Sequence, residues 1–493
     1  MKKFLITVTL ILIFTLTAVG CGMPNGSMGG IGGDYFTPDE NFTSSGENYE
    51  YNKVVEKPFY NTLETPSSYF SLDRNTATYS LVRRQINAGY KISENSIRIE
   101  EMINYFDYGY PAPTSNSVGI STYLTDCPWN ANNKIMLIGV KTKEVKVQTQ
   151  KNNYVFLVDV SGSMHGADRI GLVKYSINKL VDNFTENDRV SIVTYASGVK
   201  TALESTICSD ENKQDIKNTV NNLLASGSTN GSGGLNLAYS IAKEQHQDGV
   251  NSRVILMSDG DFNVGISNED TLKEIIQDYA KEDNIYLSVL GFGMGNTRDD
   301  ILETLAVNGN GNYAYIDCET EAEKVLIKEL DGTLKTVAKD AKAGVTFNSE
   351  NVSKYRLIGY DAKYITEEEF NNTQKDTGEI GSNLCVTAMY EITLNQNANG
   401  NLATATVKYK DTEDNNLDKE VKIDVTTSSP DGNNVKFATA VAYFGLLLRN
   451  SEYKCDASFN GLLTYLNDLS NYISGDVYKE EFISLVSKAS EIY

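Results

Sequence analysis

Histidine is scarce in this chain of 493 residues, and its cysteines are few and scattered. The two histidines are His165 and His246. Beyond Cys21, the cysteines lie far apart and share no C-x-x-C spacing: Cys127, Cys208, Cys318, Cys385 and Cys455. A zinc site built from the usual nitrogen and sulfur ligands is therefore not expected. Because their number is odd, at least one thiol stays free or pairs between chains, and the sequence allows a Cys208–Cys318 bridge without establishing it.

The sequence motifs of several enzyme classes are also absent. The chain contains no G-x-x-x-x-G-K-[ST] phosphate loop, no H-E-x-x-H metalloprotease motif and no G-x-S-x-G nucleophile elbow. A hydrolase with Ser161 or Ser163 as nucleophile and His165 as base is the remaining enzyme hypothesis. No orienting acid for His165 can be identified from the sequence. We therefore predict that the protein is not an enzyme.

Acidic residues outnumber basic residues in this chain. The chain has 44 basic and 65 acidic residues, which gives a net charge of −21. Nucleic acid is therefore not expected as a partner, because its phosphates bind positively charged surfaces. The acidic residues are spread along the chain without a dense block, a distribution typical of a solvated surface.

The N-terminus has the pattern of an export signal. Lys2 and Lys3 precede an apolar run from Phe4 to Leu16, and small residues follow. The sequence Ala18-Val19-Gly20-Cys21 resembles the lipobox of bacterial lipoproteins, with Ala where that family usually has Leu. The resemblance implies that Cys21 is lipidated and anchors the chain to the cell membrane or envelope, on the extracytoplasmic side. A simple secretory signal and an uncleaved anchor are the alternatives.

The segment after Cys21 is too polar to form a core. Residues 22–33 are rich in glycine, and the chain stays polar with few aliphatic residues to about Pro58. We predict a flexible tether over residues 22–58, which would hold the folded part away from the membrane.

The middle of the chain alternates between strand and helix patterns. The run Tyr154-Val155-Phe156-Leu157-Val158 is apolar throughout and indicates a strand buried on both faces of a parallel sheet. Further strands are predicted at Arg189 to Tyr195, Arg253 to Met257, Ile285 to Phe292 and Tyr313 to Ile316, and helices at Arg169 to Phe184, Leu272 to Ala280 and Asp299 to Val307. We therefore expect an α/β fold, a doubly wound parallel sheet with helices on both faces.

Three polar loops of this segment are expected to meet at one edge of the sheet. They are Asp159-x-Ser161-x-Ser163, Gly227-Ser228-Thr229-Asn230-Gly231 and Ser258-Asp259-Gly260-Asp261. In open α/β sheets, loops at the carboxyl ends of the strands form the ligand-binding crevice. All three loops offer oxygen atoms, which are the ligands that hard divalent cations prefer.

These loops resemble the metal-ion-dependent adhesion site of the von Willebrand factor type A (VWA) domain. The resemblance assigns metal-binding roles to five residues: Asp159, Ser161, Ser163, Thr229 and Asp259. It implies Mg²⁺, or Mn²⁺ or Ca²⁺, as the cofactor. It also implies a protein partner whose Asp or Glu carboxylate completes the metal coordination.

The resemblance extends to a bacterial family in which the VWA domain lies between two associated regions. It shows in Tyr69 to Asp73, Arg98 to Asp107, Cys127 to Asn130, Tyr355 to Tyr360, Gly378 to Gly381 and Phe437 to Arg449. The flanks are rich in β-branched and aromatic residues over Ser117 to Lys143 and Val345 to Val425, with Cys385 to Leu394 and Leu402 to Tyr409 as the clearest strands. We expect a β-sandwich with strands from both flanks and the VWA domain inserted into it.

The outer ends of the chain are predicted to be helical. Helices are expected at Thr76 to Ala88, Ile97 to Phe106, Phe437 to Leu448 and Tyr478 to Ala489, with apolar faces that pack in a core. The complete division is residues 1–21 signal peptide and lipobox, 22–58 tether, 59–150 N-terminal associated region, 151–331 VWA domain and 332–493 C-terminal associated region. The predicted function is metal-dependent protein binding at the cell envelope, and a metal-independent scaffold or assembly factor is the alternative.

Overall fold

A computed structural model describes residues 54–493 except 73, 147–150, 229–230, 261–268, 294–298, 330–331, 333–334 and 374–376. The predictions for the export signal, for Cys21, for most of the tether and for Thr229 lie outside the described residues. Within these ranges, no helix is both long and apolar enough to span a bilayer.

Two antiparallel sheets are built from strands of both chain flanks. The first contains, in spatial order, β1 (Tyr60–Asn61), β12 (Val352–Ile358), β14 (Cys385–Leu394), β4 (Lys134–Thr142) and β3 (Val118–Asp126). The second contains β13 (Gly378–Gly381), β11 (Thr336–Phe347), β15 (Asn401–Asp411) and β16 (Leu417–Thr426), and β2 (Ser67–Ser71) also pairs with β11. Apolar side chains of both sheets share one core. The β-sandwich predicted from the two flanks is confirmed.

The first sheet is buried on both faces, as its inner strand β4 shows. Met136 and Ile138 pack in the core between the sheets, whereas Ile135 and Leu137 pack against a layer of helices. Successive residues of a strand point to opposite faces, so a strand buried on both sides is apolar throughout.

The helical layer combines the two outer ends of the chain. It contains α1 (Ala77–Asn87), α2 (Ile99–Asn104), α10 (Asn433–Leu448), α11 (Phe459–Asn467), α12 (Ser470–Ile473) and α13 (Val477–Ile492). A short helix, α9 (Glu367–Asn371), lies between β12 and β13. Phe437, Val441, Phe444 and Leu448 on α10 are at most 1% exposed, so the prediction that this stripe packs in a core is confirmed.

Between β4 and β11 the chain forms the α/β domain, which runs from Lys151 to Lys328. Its sheet has the order β10 (Tyr313–Ile316), β9 (Ile285–Phe292), β8 (Val250–Ser258), β5 (Lys151–Asp159), β6 (Asp188–Tyr195) and β7 (Val199–Ile207). All neighbours are parallel except the pair β6 and β7. The strand order reverses between β5 and β8, which is the point where ligands bind in such sheets.

Helices cover both faces of this sheet, as predicted. On one face lie α3 (Leu172–Asn183), α4 (Asp210–Asn221) and α8 (Glu319–Glu323), and on the other α5 (Gly231–Glu244), α6 (Glu269–Glu282) and α7 (Asp299–Asn308). π-helical turns precede α3 at Ala167–Gly171 and follow α8 at Lys324–Lys328. The last helix of the domain therefore begins at Glu319 and changes its winding at Lys324.

The two connections to the α/β domain leave the sandwich side by side. The Ser382 hydroxyl lies 2.7 Å from Val145 N and 3.0 Å from Val145 O, just before the domain begins. The backbone N–H of Ser382 donates to Lys335 O at 2.8 Å, just after the domain ends. Ser382 thus forms hydrogen bonds with both connections, as expected for an inserted domain.

Candidate metal centre

Asp159 is the last residue of β5, and its carboxylate is fully buried. Its Oδ1 accepts a hydrogen bond from Ser161 N at 2.8 Å, and its Oδ2 accepts one from Ser258 Oγ at 3.2 Å. Burial raises the pKa of Asp159 to about 6, although the hydrogen bonds from Ser161 lower it. The charge of Asp259 adds to the rise. A carboxylate in such a place is stabilised by a nearby cation.

Ser161 and Ser163 present their hydroxyls to each other. Their Oγ atoms are 2.9 Å apart, Ser161 is buried and Ser163 is half-buried. Between them, Gly162 N donates to Gly227 O at 2.9 Å, so the first polar loop contacts the second. A Cβ at Gly162 would lie 3.2 Å from that same carbonyl oxygen, so the close approach favours glycine.

The described part of the second loop lies beside the first. Ser226 N donates to Val160 O at 2.7 Å, and Ser228 N donates to Ser197 Oγ at 2.9 Å. Thr229 follows directly but is outside the described residues, so its role as a ligand stays a prediction.

The third loop begins at the end of β8, next to Asp159. Asp259 is 9% exposed, and Gly260 has a φ of 92°, a backbone conformation that glycine adopts without strain. Ser258 Oγ donates to Asp159 and accepts a hydrogen bond from Gly260 N at 3.2 Å. The Ser258 hydroxyl therefore links the first and third loops.

Two residues near the site were given no role in the site from the sequence, although Ser258 was part of the third loop. Ser258 is the last residue of β8, and Tyr195 is the last residue of β6. Tyr195 is fully buried, and burial raises the pKa of its hydroxyl well above the usual value, with the charge of Asp159 adding to the rise. Their position at strand ends beside β5 is the signal that would have revealed them, because these ends surround the crevice.

The donor atoms suit a hard cation. Two carboxylates, Asp159 and Asp259, and the hydroxyls of Ser161 and Ser163 belong to loops that meet at one edge of the sheet. Among the described residues no group of three or more His, Cys, Asp and Glu side chains could hold a metal. Oxygen-only donors fit Mg²⁺, Mn²⁺ or Ca²⁺.

The serine hydrolase hypothesis gains no support from the geometry. His165 is exposed, and it makes no side-chain hydrogen bond within the part of the chain that the structure describes. The Ser161 and Ser163 hydroxyls instead bond to each other. A nucleophile needs a base within hydrogen-bond reach.

The five described cysteines are all free thiols. Cys127, Cys208 and Cys385 are buried, Cys318 is half-buried and Cys455 is exposed. The Cys208–Cys318 bridge that the sequence allows is not formed.

Comparison with known families identifies the inserted domain. Residues 153–332 match the model of the von Willebrand factor type A domain, residues 45–137 match a von Willebrand factor model, and residues 332–492 match the model of the YfbK C-terminal region. The α/β domain is thus a VWA domain, and the predicted fold class is confirmed. VWA domains are modules of protein–protein interaction and adhesion, which is the class of function that this chain carries.

The resemblance over the whole chain is to one bacterial family. The uncharacterized protein YfbK of Escherichia coli strain K12 is 33% identical over 475 residues, covering 90% of this chain and 81% of that protein. The chain belongs to this family. Inter-alpha-trypsin inhibitor heavy chain H3 of Mesocricetus auratus is 30% identical over 165 residues, 32% of this chain and 18% of that protein. A solved von Willebrand factor type A structure from Catenulispora acidiphila shares 14% identity and covers 73% of this chain and 89% of that one, with a TM-score of 0.41.

Proposed function

We propose that the protein is a cell-envelope lipoprotein that binds a protein partner through a divalent cation in its VWA domain. The residues proposed to hold the cation are Asp159, Ser161, Ser163, Thr229 and Asp259. The observation that carries the proposal is the buried Asp159 carboxylate, which shares its edge of the sheet with Asp259 and two serine hydroxyls.

The chemistry of the site favours an acidic group on the partner. A bound divalent cation supplies positive charge with a preference for oxygen ligands, so an Asp or Glu carboxylate of the partner would complete its coordination. The chain's own residues hold and orient the donors: Ser161 N and Ser258 Oγ fix the Asp159 carboxylate, and Gly227 O fixes the serine loop. These contacts preorganise a site for binding, and we propose no catalytic role.

The membrane location rests on Cys21, and its lipidation can be tested directly. Cells grown with a radiolabelled fatty acid should incorporate label into the wild-type protein, and the protein should sediment with membranes. A Cys21→Ala variant should lose the label. Label retained in the variant, or absent from the wild type, would contradict the lipoprotein assignment.

Metal binding is tested by calorimetric titration of the full-length protein, in a mild nonionic detergent, with Mg²⁺ and Mn²⁺. Asp159→Ala should abolish saturable binding, because it removes a buried carboxylate. Ser163→Ala should weaken binding more mildly, since it removes one neutral donor. The matched control is Asp210→Ala, which removes an exposed carboxylate whose nearest cation, Lys213 Nζ, is 3.5 Å away.

The outcomes separate the two functions proposed. Binding by the wild type and the control, lost in Asp159→Ala, would support the metal site and justify a search for envelope proteins captured only with metal. An unchanged affinity in Ser163→Ala would remove Ser163 from the ligand set. No binding by any of these proteins would favour the metal-independent scaffold or assembly factor.

A further inference from the structure

Helix α1 lies outside the VWA domain in sequence but contacts it through two consecutive arginines. Arg83 Nε donates to Asp317 Oδ2 at 2.9 Å and its Nη2 donates to Glu321 Oε2 at 2.9 Å, so it holds the end of the domain. Arg84 points elsewhere: its Nη2 donates to Asp168 Oδ2 at 2.5 Å, and its Nη1 donates to the Tyr315 hydroxyl at 2.5 Å.

Asp168 belongs to the segment that follows the serine loop directly. It lies in the π-helical turn Ala167–Gly171, a rare winding that often marks functional sites. A Cβ at Gly166, whose φ is 138°, would lie 2.8 Å from Asp168 Oδ1, so glycine there leaves room for the carboxylate. The next residue, Arg169, donates from Nη1 to Ser163 O at 2.5 Å. The residue that Arg84 contacts and the residue that contacts a proposed metal ligand are therefore adjacent in the chain.

The second contact of Arg84, to the Tyr315 hydroxyl, also connects it with Arg169, through Gly293. The Tyr315 hydroxyl, which accepts from Arg84, donates to Gly293 O. The Arg169 side chain lies against Gly293 so closely that a Cβ there would be 2.5 Å from Arg169 Nε. Arg84 thus contacts Asp168, the neighbour of Arg169 in the chain, and Tyr315, which bonds to the glycine that Arg169 packs against. Arg169 in turn fixes the carbonyl of Ser163.

From these contacts we infer that Arg84 is a positioning residue for the metal centre, acting through Asp168 and Arg169 on the loop Ser161 to Ser163. The inference rests on the proposed function, because it assigns to the N-terminal region a part in metal binding by the VWA domain. Groups that orient metal ligands without touching the metal commonly change its affinity by about 10- to 100-fold when they are removed.

Positioning can be separated from stability because the Arg84–Asp168 pair is partly exposed. The Arg84 side chain is 14% exposed and that of Asp168 is 37% exposed. Ion pairs of this kind add little to stability, so removing this one should change the loop more than the fold. The Arg83 contacts are far more buried, with Asp317 4% and Glu321 1% exposed. Arg83 therefore remains to hold α1 on the domain.

The experiment compares Arg84→Ala, Arg84→Lys and Asp168→Asn with Gln85→Ala, a matched control at the next position of α1. Mg²⁺ affinity is measured by calorimetry on the full-length protein in detergent. Hydrogen exchange of the amides of residues 161–169 is measured without metal, in EDTA. Thermal stability in EDTA is measured for every variant.

We expect Arg84→Ala and Asp168→Asn each to weaken Mg²⁺ binding about tenfold. Their combination should weaken binding no further than Arg84→Ala alone, since both changes break the Arg84–Asp168 contact and only Arg84→Ala also breaks the contact to Tyr315. Arg84→Lys should recover part of the affinity, because it keeps the charge beside Asp168 but cannot also reach Tyr315. The amides of residues 161–169 should exchange faster in Arg84→Ala, and Gln85→Ala should match the wild type.

Unchanged affinity and unchanged exchange in Arg84→Ala and Asp168→Asn would overturn the inference. A loss of thermal stability with unchanged Mg²⁺ affinity and unchanged hydrogen exchange would also overturn it, because that result defines a purely structural residue. If Arg84→Ala does not fold, the Mg²⁺ affinity and hydrogen exchange of Asp168→Asn test the inference. If the wild type binds no metal, the proposed function fails, and exchange in EDTA still decides whether Arg84 orders the loop.

Discussion

We predict that Glu101 makes the stability of the protein depend on pH near neutrality. Its side chain, on α2, is 2% exposed. Oε2 accepts hydrogen bonds from Thr78 N at 3.0 Å and Thr78 Oγ1 at 2.6 Å. Thr78 is in the first turn of α1, whose capping residue Thr76 makes no side-chain cap, so the Glu101 carboxylate satisfies one of the amides at that helix end.

Burial raises the pKa of Glu101 from 4.5 to about 7. The charge of Glu303 adds to the rise, Arg98 and Lys363 oppose it, and Glu100 adds a little more. Because the folded state holds this proton more tightly than the unfolded state, the contribution of Glu101 to stability is fully present below pH 4.5 and is lost as the pH rises through 7. The rise in pKa corresponds to about 3 kcal/mol at most.

Glu101→Gln removes the charge and keeps a carbonyl oxygen for Thr78. We expect it to raise the free energy of unfolding at pH 8 by up to about 3 kcal/mol and to change it little at pH 4.5. Glu101→Ala leaves the Thr78 donors unpaired and should cost about 1–3 kcal/mol at low pH.

The assay is urea unfolding at several pH values between 4.5 and 8, with the transition followed by circular dichroism. A Glu101→Gln protein less stable than the wild type at pH 8, or one with the same pH dependence, would refute the reasoning. Such a result would mean that the carboxylate is stabilised in its charged form.

Two further predictions concern the half-buried ion pair of Arg74 and the exposed thiol of Cys455. Against a burial that would raise it, Arg74 and Lys324 hold the pKa of Glu329 at about 2, so this contribution to stability is present above pH 4.5 and is lost as the pH falls towards 2. Arg74→Ala removes one of the two cations beside Glu329 and leaves Lys324 in place, so it should cost about 2 kcal/mol at pH 7 in thermal unfolding, and an unchanged stability would contradict the pairing. Cys455 is exposed, whereas burial raises the pKa of Cys208 to about 12. Cys455→Ser should therefore remove the fastest reaction of the native protein with an aromatic disulfide reagent, and an unchanged rate would count against its exposure.

Strong local patterns in the sequence predicted most of the fold. The uninterrupted apolar run around Tyr154 to Val158 became the central strand β5, because a strand buried on both faces must be apolar at every position. The predicted strand Cys385 to Leu394 has the bounds of β14. A run that is apolar throughout indicates a strand buried on both faces, and alternation indicates a strand buried on one face, so the sandwich and its inserted domain could be expected from the sequence.

The contacts between distant segments could not be predicted. Arg83 and Asp317 are 234 residues apart, and no pattern in the sequence pairs them. The site shows the same limit: Asp159 and Asp259 were predicted from their loops, but the part of Ser258 depends on how β5 and β8 sit side by side. The ends of helices were also not predicted. The apolar spacing predicted a helix from Ile97 to Phe106, whereas the structure has a helix, α2, only at Ile99–Asn104.

The adjacent connections held by Ser382 have a consequence for the order in which the chain folds. Strand β2 must pair with β11, which is synthesised after the whole VWA domain, so the sandwich cannot form until that domain has left the ribosome. Closing a flexible loop of the roughly 190 residues between Val145 and Lys335 would cost about 4.5 kcal/mol in chain entropy. A VWA domain that folds first brings its own ends together and removes most of this cost before β2 and β11 meet. Folding of the inserted domain would then favour assembly of the sandwich that surrounds it, by bringing its two halves together.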